Sequence, residues 1–290
     1  ISSGALNATD SISVPSLSWS GGTITGSGTL ITPSGGTAQL FGNTTKYLQN
    51  KTWQNQGTIN LTDGQLYLYG YDPANTTSPY TPTQNAPQLQ NLAGGVITVS
   101  TRNQSSPIYG YSYNSYYGVI GNARLINNQG ATINWNATNY GTDYASINGG
   151  NFTFDNAGIV NINNNLRLNN ISNATDTSDT GSYNIATAKT FSVYGGNRTL
   201  AAGLTPDTTG TITGAGALSI DSGSLTVNGT LGLAATGTVA INGGTLNLNT
   251  GAGAASPIAF ANTLSISSGA LNATDSISVP SLSWSGGTIT

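Results

Sequence analysis

The 290-residue sequence contains no histidine, cysteine, methionine or glutamate, and only 6% of its residues are charged. Without histidine, the chain lacks the commonest general base, the commonest metal ligand and the usual pH-sensitive side chain. Without cysteine, it has neither a disulfide framework nor a thiolate metal site. These absences predict a protein with no metal and no other cofactor, and they disfavour most catalytic mechanisms.

Positive charge and long apolar runs are also scarce. Seven lysines and arginines and a net charge of −3 give no basic surface for a nucleic acid. No run approaches the roughly 18 apolar residues that a membrane span requires, so membrane insertion is not expected. No signal peptide is visible either, and the sequence is therefore expected to be an internal piece of a mature protein.

What the chain does contain is glycine, with 39 residues, together with much serine, threonine, asparagine and small apolar residues. Strong helix formers other than alanine are few. The abundant residues favour strands and turns instead. The composition therefore predicts an almost purely β protein.

The last third of the chain reads as short strands separated by turns, as in "SLTVNG", "TVAINGG" and "TLNLNT". In each piece two apolar residues flank one polar residue, which is typical of a strand with one buried face. Three such pieces fill about twenty residues, which is one coil of a parallel β-solenoid. A β-sandwich is the alternative, but it would have longer strands and wider turn spacing. The apolar pairs are Leu218/Ile220, Leu225/Val227, Leu231/Leu233, Val239/Ile241 and Leu246/Leu248.

The middle of the chain repeats a turn-then-strand phrase in "WQNQGTINL", "LQNLAGGVITV", "LINNQGATINW" and "FTFDNAGIVNI". The glycines of these phrases lie farther apart than one bare coil, so additional residues are expected to leave the solenoid as loops. The stretch at 69–88 holds four prolines, which cannot donate to a strand ladder. The stretch at 103–122 is rich in tyrosine, and the one at 169–184 is polar. Loops are predicted near these three ranges.

The phrases "SWSGGTITGSGTL", "NNQGATINW" and "SGSLTVNGTLGL" resemble the repeats of filamentous-haemagglutinin-type proteins and autotransporter passengers. These are large tandem-repeat bacterial surface adhesins or filaments. The resemblance covers nearly the whole chain in composition, coil length and turn phrases. It implies a right-handed parallel β-helix with about 20–22 residues per coil. It also implies a secreted bacterial protein located outside the cell or on its surface.

The ten acidic residues are all aspartates, and most lie in turn contexts such as Asp63–Gly64. Glycoside hydrolysis needs two carboxylates about 5–9.5 Å apart, and stacked coils could bring distant aspartates together. A polysaccharide-active β-helix enzyme therefore remains a remote alternative. The prediction is that the chain is not an enzyme and has no catalytic residues.

Tyrosine is the residue type with the most uneven distribution, since eleven of the 14 lie between positions 67 and 144. Where they alternate with leucine or glycine, they are expected to face away from the core. Exposed aromatic rings are typical of protein interfaces and sugar sites, but they could equally pack on the solenoid flank. The alternative function is therefore a module that contacts a glycan or a neighbouring fibre. Its candidate residues are Tyr67, Tyr69, Tyr71, Tyr80, Tyr109, Tyr111, Tyr113, Tyr116 and Tyr117.

The segment 1–25 recurs letter for letter as 266–290. Residues 1–265 are therefore interpreted as one tandem-repeat unit, and 266–290 as the start of the next identical one. Roughly ten to eleven coils would give on the order of 50 Å per repeat. The favoured function is a structural repeat of an extracellular filament or giant adhesin, with identical repeats as end-to-end partners. The predicted inward residues of the repeat junction are Leu6, Ile12, Val14, Leu17, Trp19 and Ile24, and their copies Leu271, Ile277, Val279, Leu282, Trp284 and Ile289.

Overall fold

A computed structural model describes residues 1–71, 85–113, 121–139, 141, 143–175, 177–203, 209–233, 237–249 and 258–290. The described residues contain strands and turns but no helix, so they include no helix that could cross a membrane. The strands pair in parallel with their counterparts in the next coil. The protein is thus an all-β parallel β-helix, which confirms the predicted fold class. It divides into two compact units, Ile1–Phe154 and Asp155–Thr290.

The first unit contains short strands that recur three to a coil, and the last of them straddles the unit boundary. They are β1 (Ala5–Asn7), β2 (Ile12–Ser13), β3 (Ser16–Trp19), β4 (Gly22–Thr25), β5 (Thr29–Thr32), β6 (Thr37–Leu40), β7 (Thr45–Gln49), β8 (Thr52–Asn55), β9 (Thr58–Leu61), β10 (Gln65–Tyr71), β11 (Gln88–Asn91), β12 (Val96–Val99), β13 (Ile108–Tyr113), β14 (Ala123–Asn127), β15 (Thr132–Trp135), β16 (Ala145–Gly150) and β17 (Phe152–Asn156).

These strands form three parallel sheets, one for each side of the coil. The first sheet runs β1-β4-β7-β10-β13-β16, the second runs β2-β5-β8-β11-β14-β17, and the third runs β3-β6-β9-β12-β15. Every third strand along the chain therefore returns to the same sheet. Each coil supplies the backbone hydrogen bonds of the coil below it, and the apolar side chains of all three sheets meet inside.

Alternation within each strand decides which side chains form this core. In β9 and β12, Ile59, Leu61, Ile97 and Val99 are buried, and the residues between them point outward. Turns join one sheet to the next. Gly94 adopts φ of 80° in the turn before β12, which a glycine tolerates without steric cost.

A row of buried asparagines follows one corner of the first unit. Asn55, Asn91 and Asn127 end β8, β11 and β14, and they are spaced 36 residues apart. The Asn55 Nδ2 donates to Asn91 Oδ1 at 2.7 Å, and the Asn91 Nδ2 donates to Asn127 Oδ1 at 2.9 Å. The recurring Asn-before-Gly phrase of the sequence therefore provides a side-chain ladder as well as a turn.

The second unit follows the same plan, but two of its strands are long enough to cover two sides of the coil. Its strands are β18 (Ile159–Ile162), β19 (Leu166–Asn169), β20 (Ser182–Ile185), β21 (Thr190–Leu200), β22 (Thr211–Gly214), β23 (Ala217–Val227), β24 (Thr230–Leu233), β25 (Val239–Ile241), β26 (Thr245–Leu248), β27 (Ile258–Ala259), β28 (Thr263–Ile266), β29 (Ala270–Ala273), β30 (Ile277–Ser278), β31 (Ser281–Trp284) and β32 (Thr288–Ile289).

The long strands β21 and β23 each have 11 residues and turn a corner at an irregularity in their pairing. Their first halves continue the stack β19-β21-β23-β25-β28-β31, and the second half of β23 pairs with β26, which leads to β29 and β32. The third side is β18-β20-β22-β24, and β27 pairs with β30. Leu218 pairs with Val239 and Leu225 with Leu246, so the predicted 21-residue coil is present here.

The structure corrects the extent of the predicted loops. Tyr69–Tyr71 belongs to β10, Ile108–Tyr113 forms β13, and Ser182–Asn184 belongs to β20, although all three stretches fall within the predicted ranges 69–88, 103–122 and 169–184. In the first two stretches, tyrosine alternates with leucine or small residues, which fits a strand with one buried face, and these residues therefore stay in the coil. The rest of the first two loops lies partly outside the described residues.

Candidate functional sites

The first candidate site is an outward-facing group of tyrosines on the first sheet of the first unit. Strands β7, β10 and β13 pair in register, and their inward positions are taken by residues such as Leu48, Leu66 and Ile108. The alternating positions therefore point away from the core. We call this group the tyrosine surface; it consists of Tyr47, Tyr67, Tyr69, Tyr71, Tyr109 and Tyr111.

The rings of the tyrosine surface contact one another across and along the strands. Tyr67 lies 5.4 Å from Tyr47 and 4.9 Å from Tyr109, measured between ring centroids. Tyr69 lies 5.4 Å from Tyr67 and 6.0 Å from Tyr71, the latter pair being stacked with 9° between planes. These separations fall in the range of favourable aromatic pairs. The rings are half-buried by this mutual packing, so both predicted roles, packing and contact with a ligand, are compatible with it.

Burial also raises the pKa of two of these phenols, Tyr67 and Tyr69. Burial, followed by repulsion from Tyr109 and the other neighbouring phenols, raises the pKa of Tyr67 well above its ordinary value. The pKa of Tyr69 rises for the same reason, and among the neighbouring phenols Tyr71 contributes most to this rise. Because a buried phenolate beside other phenols is unfavourable, the hydroxyls of Tyr67 and Tyr69 stay protonated at neutral pH and keep their capacity to donate hydrogen bonds.

Not all predicted tyrosines can be placed in this surface. Tyr80, Tyr116 and Tyr117 lie outside the described residues, and Tyr113 is placed only through its backbone pairing with Tyr71. Tyr47 belongs to the surface but was not among the sequence candidates. Its signal was present in the phrase "TKYLQ", in which Tyr47 alternates with Leu48 as Tyr67 does with Leu68.

The second candidate site is formed by the repeated 25-residue segment. Strands β1, β2 and β3 of the first copy correspond to β29, β30 and β31 of the second. The pairing register is also the same, since Leu6 pairs with Ile24 and Leu271 with Ile289. One sequence thus adopts one local structure in two places, in different units of the chain.

The two copies differ in what covers them. Leu17, Trp19 and Ile24 are buried, with exposed fractions of 8%, 0% and 0%. Their equivalents Leu282, Trp284 and Ile289 are exposed by 46%, 56% and 40%. We call these three residues the exposed coil edge. Of the other predicted junction residues, Leu271 is buried, Leu6 is exposed, and Ile12, Val14, Ile277 and Val279 are half-buried.

The difference has a direct structural cause. In the first copy, β3 pairs with β6 through Leu17 to Ala38 and Trp19 to Leu40. The Trp19 ring also lies 6.1 Å from that of Trp53 in the coil after that. The residues that cover the first copy therefore come from the segment 26–61, and no described residue has the equivalent position above the second copy.

Among the described residues, charged side chains with no more than 1% of their surface exposed lie at three places, and sequence reasoning found none of them. In the second unit, the Arg198 guanidinium pairs with the Asp179 carboxylate, which also accepts a hydrogen bond from the Tyr183 hydroxyl at 2.7 Å. Burial raises the pKa of Asp179, and the charge of Arg198 opposes the rise. In the first unit, the Lys51 Nζ donates to Ala8 O at 3.0 Å and to Gly28 O at 2.8 Å, and thus links successive coils.

The third buried charge is Lys46, whose Nζ donates to the backbone carbonyls of Gly42 and Asp63. Burial lowers the pKa of Lys46 to about 8, although the charge of Asp63 acts in the opposite direction. A signal for these residues exists in the sequence, because Lys46 shares its alternation phase with Leu48, and Arg198 shares it with Leu200. Both positions are inward by that pattern.

Asp155, Asp179 and Asp221 accept hydrogen bonds from residues about 20 to 30 positions away in the sequence and so hold different segments together. The Asp221 carboxylate accepts hydrogen bonds from Ser192 Oγ and Ser219 Oγ, each at 2.6 Å, and from Asn242 Nδ2 at 2.9 Å. Partial burial alone would raise the pKa of Asp221, but these donors bring it below its ordinary value. Within the described part of the chain, no three of its acidic residues lie close enough together to hold a metal ion.

In comparisons with known proteins, no family model, curated protein or solved structure matches the chain significantly. The class of the protein therefore rests on its own fold. It is a parallel β-helix with two candidate sites, the tyrosine surface and the exposed coil edge. The sequence of the exposed coil edge occurs a second time in residues 1–25, where the equivalent side chains are buried.

Proposed function

We propose that this chain is a non-catalytic structural repeat of an extracellular bacterial filament or giant surface adhesin, which acts as a fibre, a stalk or a cell–cell linker. One observation supports this most strongly. The same 25 residues form the same strands in the same register twice, buried by a following coil in one place and uncovered in the other. Coils with the sequence of residues 26–61 would cover the second copy as they cover the first.

Coil stacking would give such a fibre its stability. Each coil contacts mainly its neighbours, so stability grows with every added coil. Each buried Leu, Ile or Val contributes about 1.5–3 kcal/mol before conformational entropy is subtracted. Polar interior groups are also linked from coil to coil, as in the Asn55–Asn91–Asn127 ladder. A protein built this way can be lengthened by duplication without a new core.

A surface location is part of the proposal, and the distribution of basic residues supports it. The chain has seven lysines and arginines, and Lys46, Lys51 and Arg198 among them are buried. Few sites are therefore open to proteases that cut after basic residues. Resistance of this kind benefits a structural protein outside the cell.

The experiment is to express chains with one, two and four copies of the 265-residue period and to measure particle length by electron microscopy. The proposal expects the same increment for every added copy, on the order of 50 Å. A length that does not grow regularly with copy number would contradict it.

A matched variant tests whether coil stacking at the junction is responsible. In the two-copy chain, Leu282→Lys and Trp284→Lys place two charges where the next coil would bury them, and burial of unpaired charge is costly. We expect a break or bend at the junction. In the 290-residue chain the same pair of substitutions lies on an exposed edge, so the unfolding midpoint should hardly change.

A further inference from the structure

The fibre role does not require the tyrosine surface, and we propose that this surface binds an uncharged polysaccharide. Its six rings lie on three successive strands, β7, β10 and β13, and are aligned by the strand register, in which Tyr47 pairs with Tyr67 and Tyr67 with Tyr109. This inference does not depend on the fibre proposal, because it concerns the outward face of the first unit and the other concerns the coil edge.

The absence of charge on the described part of this face decides the type of ligand. The other outward positions of strands β4, β7, β10 and β16 carry small hydroxyl and amide side chains, namely Thr23, Thr25, Thr45, Gln49, Gln65 and Asn148. Lys46, the neighbour of Tyr47 in the sequence, points inward and is buried. With no charged side chain at these outward positions, the surface has no Coulombic preference for an anionic polymer or a nucleic acid.

The mixture of rings and amides favours a sugar over a protein partner. Pyranose rings present C–H groups on their faces and hydroxyls at their rims, which match an aromatic face bordered by hydrogen-bonding side chains. The centres of protein interfaces are rich in apolar residues, methionine and arginine as well as aromatic residues. No aliphatic or arginine side chain occupies the described outward positions of β7, β10 and β13.

Geometry favours an extended ligand held by a rigid platform. Strands of neighbouring coils are about 4.8 Å apart, so an extended chain of sugars can lie across several rings at once. The rings already hold one another, and the Tyr111 ring lies over Gly150, where an added Cβ would be 3.1 Å from Cε2. Side chains fixed before binding lose little entropy on binding.

Affinity electrophoresis tests the proposal on the intact chain. Native gels would contain a soluble β-glucan, a galactomannan or a dextran as neutral probes, and alginate as the anionic comparison. We expect at least one neutral polysaccharide to retard the chain, with no loss of retardation at high salt. The variant Tyr67→Thr/Tyr69→Thr/Tyr109→Thr should bind at least tenfold more weakly. Tyr194→Thr, which removes an exposed ring of the second unit, should bind as the parent does.

Circular dichroism and the thermal midpoint report whether each variant is folded, and Tyr109→Thr alone replaces the triple variant if that one is not. Retardation by no neutral polysaccharide would overturn the proposal, and so would retardation by alginate alone with loss in salt. Equal binding by parent and tyrosine variant would also overturn it. If the variant abolishes self-association seen by light scattering while no polysaccharide binds, the surface is a protein contact. None of these results affects the length increments that test the fibre role.

Discussion

Trp19 and Trp284 occupy the same position in two copies of one sequence, yet Trp19 is fully buried and Trp284 exposes 56% of its surface. Both lie at the end of a strand with the sequence Ser-Leu-Ser-Trp, and in both copies the leucine of the first strand pairs in the same way, Leu6 with Ile24 and Leu271 with Ile289. The environments differ because β6 and the Trp53 ring cover Trp19. The chain thus contains its own comparison of a covered and an uncovered coil.

Truncation of these two tryptophans should have very different effects. Trp19→Ala removes a fully buried ring and should lower the free energy of unfolding by about 3–5 kcal/mol. Trp284→Ala should lower it by less than about 1 kcal/mol, because an exposed ring has little apolar contact to lose. Urea unfolding followed by circular dichroism measures both. Equal losses would show that Trp284 is covered in solution or that Trp19 is not.

The buried ion pair in the second unit gives a prediction about unpaired charge. Asp179→Leu leaves the Arg198 guanidinium buried without its carboxylate and should cost about 3–5 kcal/mol. The double variant Asp179→Leu/Arg198→Met should recover most of this loss, since no charge is then buried. Urea unfolding of the parent, the two single variants and the double variant completes the cycle. A double variant as unstable as Asp179→Leu would contradict the interpretation.

Lys46 gives the protein a predicted dependence on alkaline pH. Its folded-state pKa is about 8, against 10.5 for an ordinary lysine. Between these two values the unfolded chain binds more protons than the folded one, so the free energy of unfolding should rise with pH and be lowest below about pH 8. Lysine 51 contributes in the same direction, because burial lowers its pKa too. Above pH 10 the raised pKa of Tyr67 acts in the opposite direction.

The measurement is therefore urea unfolding between pH 7 and pH 10 for the parent and for Lys46→Met. The variant should show a smaller rise, since its buried group does not titrate. Lys189→Met, which changes a lysine at the surface of the second unit, serves as the control and should keep the parent's rise. A rise of the same size in Lys46→Met as in the parent would rule out this role for Lys46.

The asparagine ladder predicts a difference between inward and outward amides. Asn91→Ala removes the central amide and its buried hydrogen bonds to Asn55, Asn127 and the Thr132 carbonyl, which should cost about 1–3 kcal/mol. Asn247→Ala removes a half-buried amide from an outward ladder, where water can replace the contacts to Thr226 and Asn272. Its loss should be below about 0.5 kcal/mol. Thermal midpoints that fall equally in both variants would contradict a special role of the inward ladder.

Alternation of apolar and polar residues is sufficient to predict much of this fold. Because side chains alternate strictly in a strand, Leu218 and Val239 could be placed in stacked coils from sequence, and they pair in register. The outward direction of Tyr67 and Tyr69 follows from the same rule. The period of the pattern depends only on local backbone geometry, and a solenoid repeats that geometry in every coil.

Alternation could not predict what depends on neighbouring coils. Burial of Arg198 requires Asp179, which comes from a polar stretch that local reasoning predicted to be a loop. The extent of β13 was missed because tyrosine and glycine were interpreted as loop residues, whereas pairing with β10 holds them in a strand. The sequence also could not predict the exposure of Trp284, because the residues around it are identical to those around the buried Trp19.

The most direct test of the fibre role is the environment of Trp284 when a copy of residues 26–61 follows Thr290. Tryptophan is replaced by 5-fluorotryptophan, and the fluorine resonance of Trp284 is assigned with Trp284→Phe. Its shift between H₂O and D₂O then reports solvent contact, with the resonance of Trp19 as the buried reference. The fibre account predicts that the solvent-dependent shift of Trp284 falls to that of Trp19 in the extended chain. A Trp284 resonance that remains as solvent-sensitive as in the 290-residue chain would contradict it.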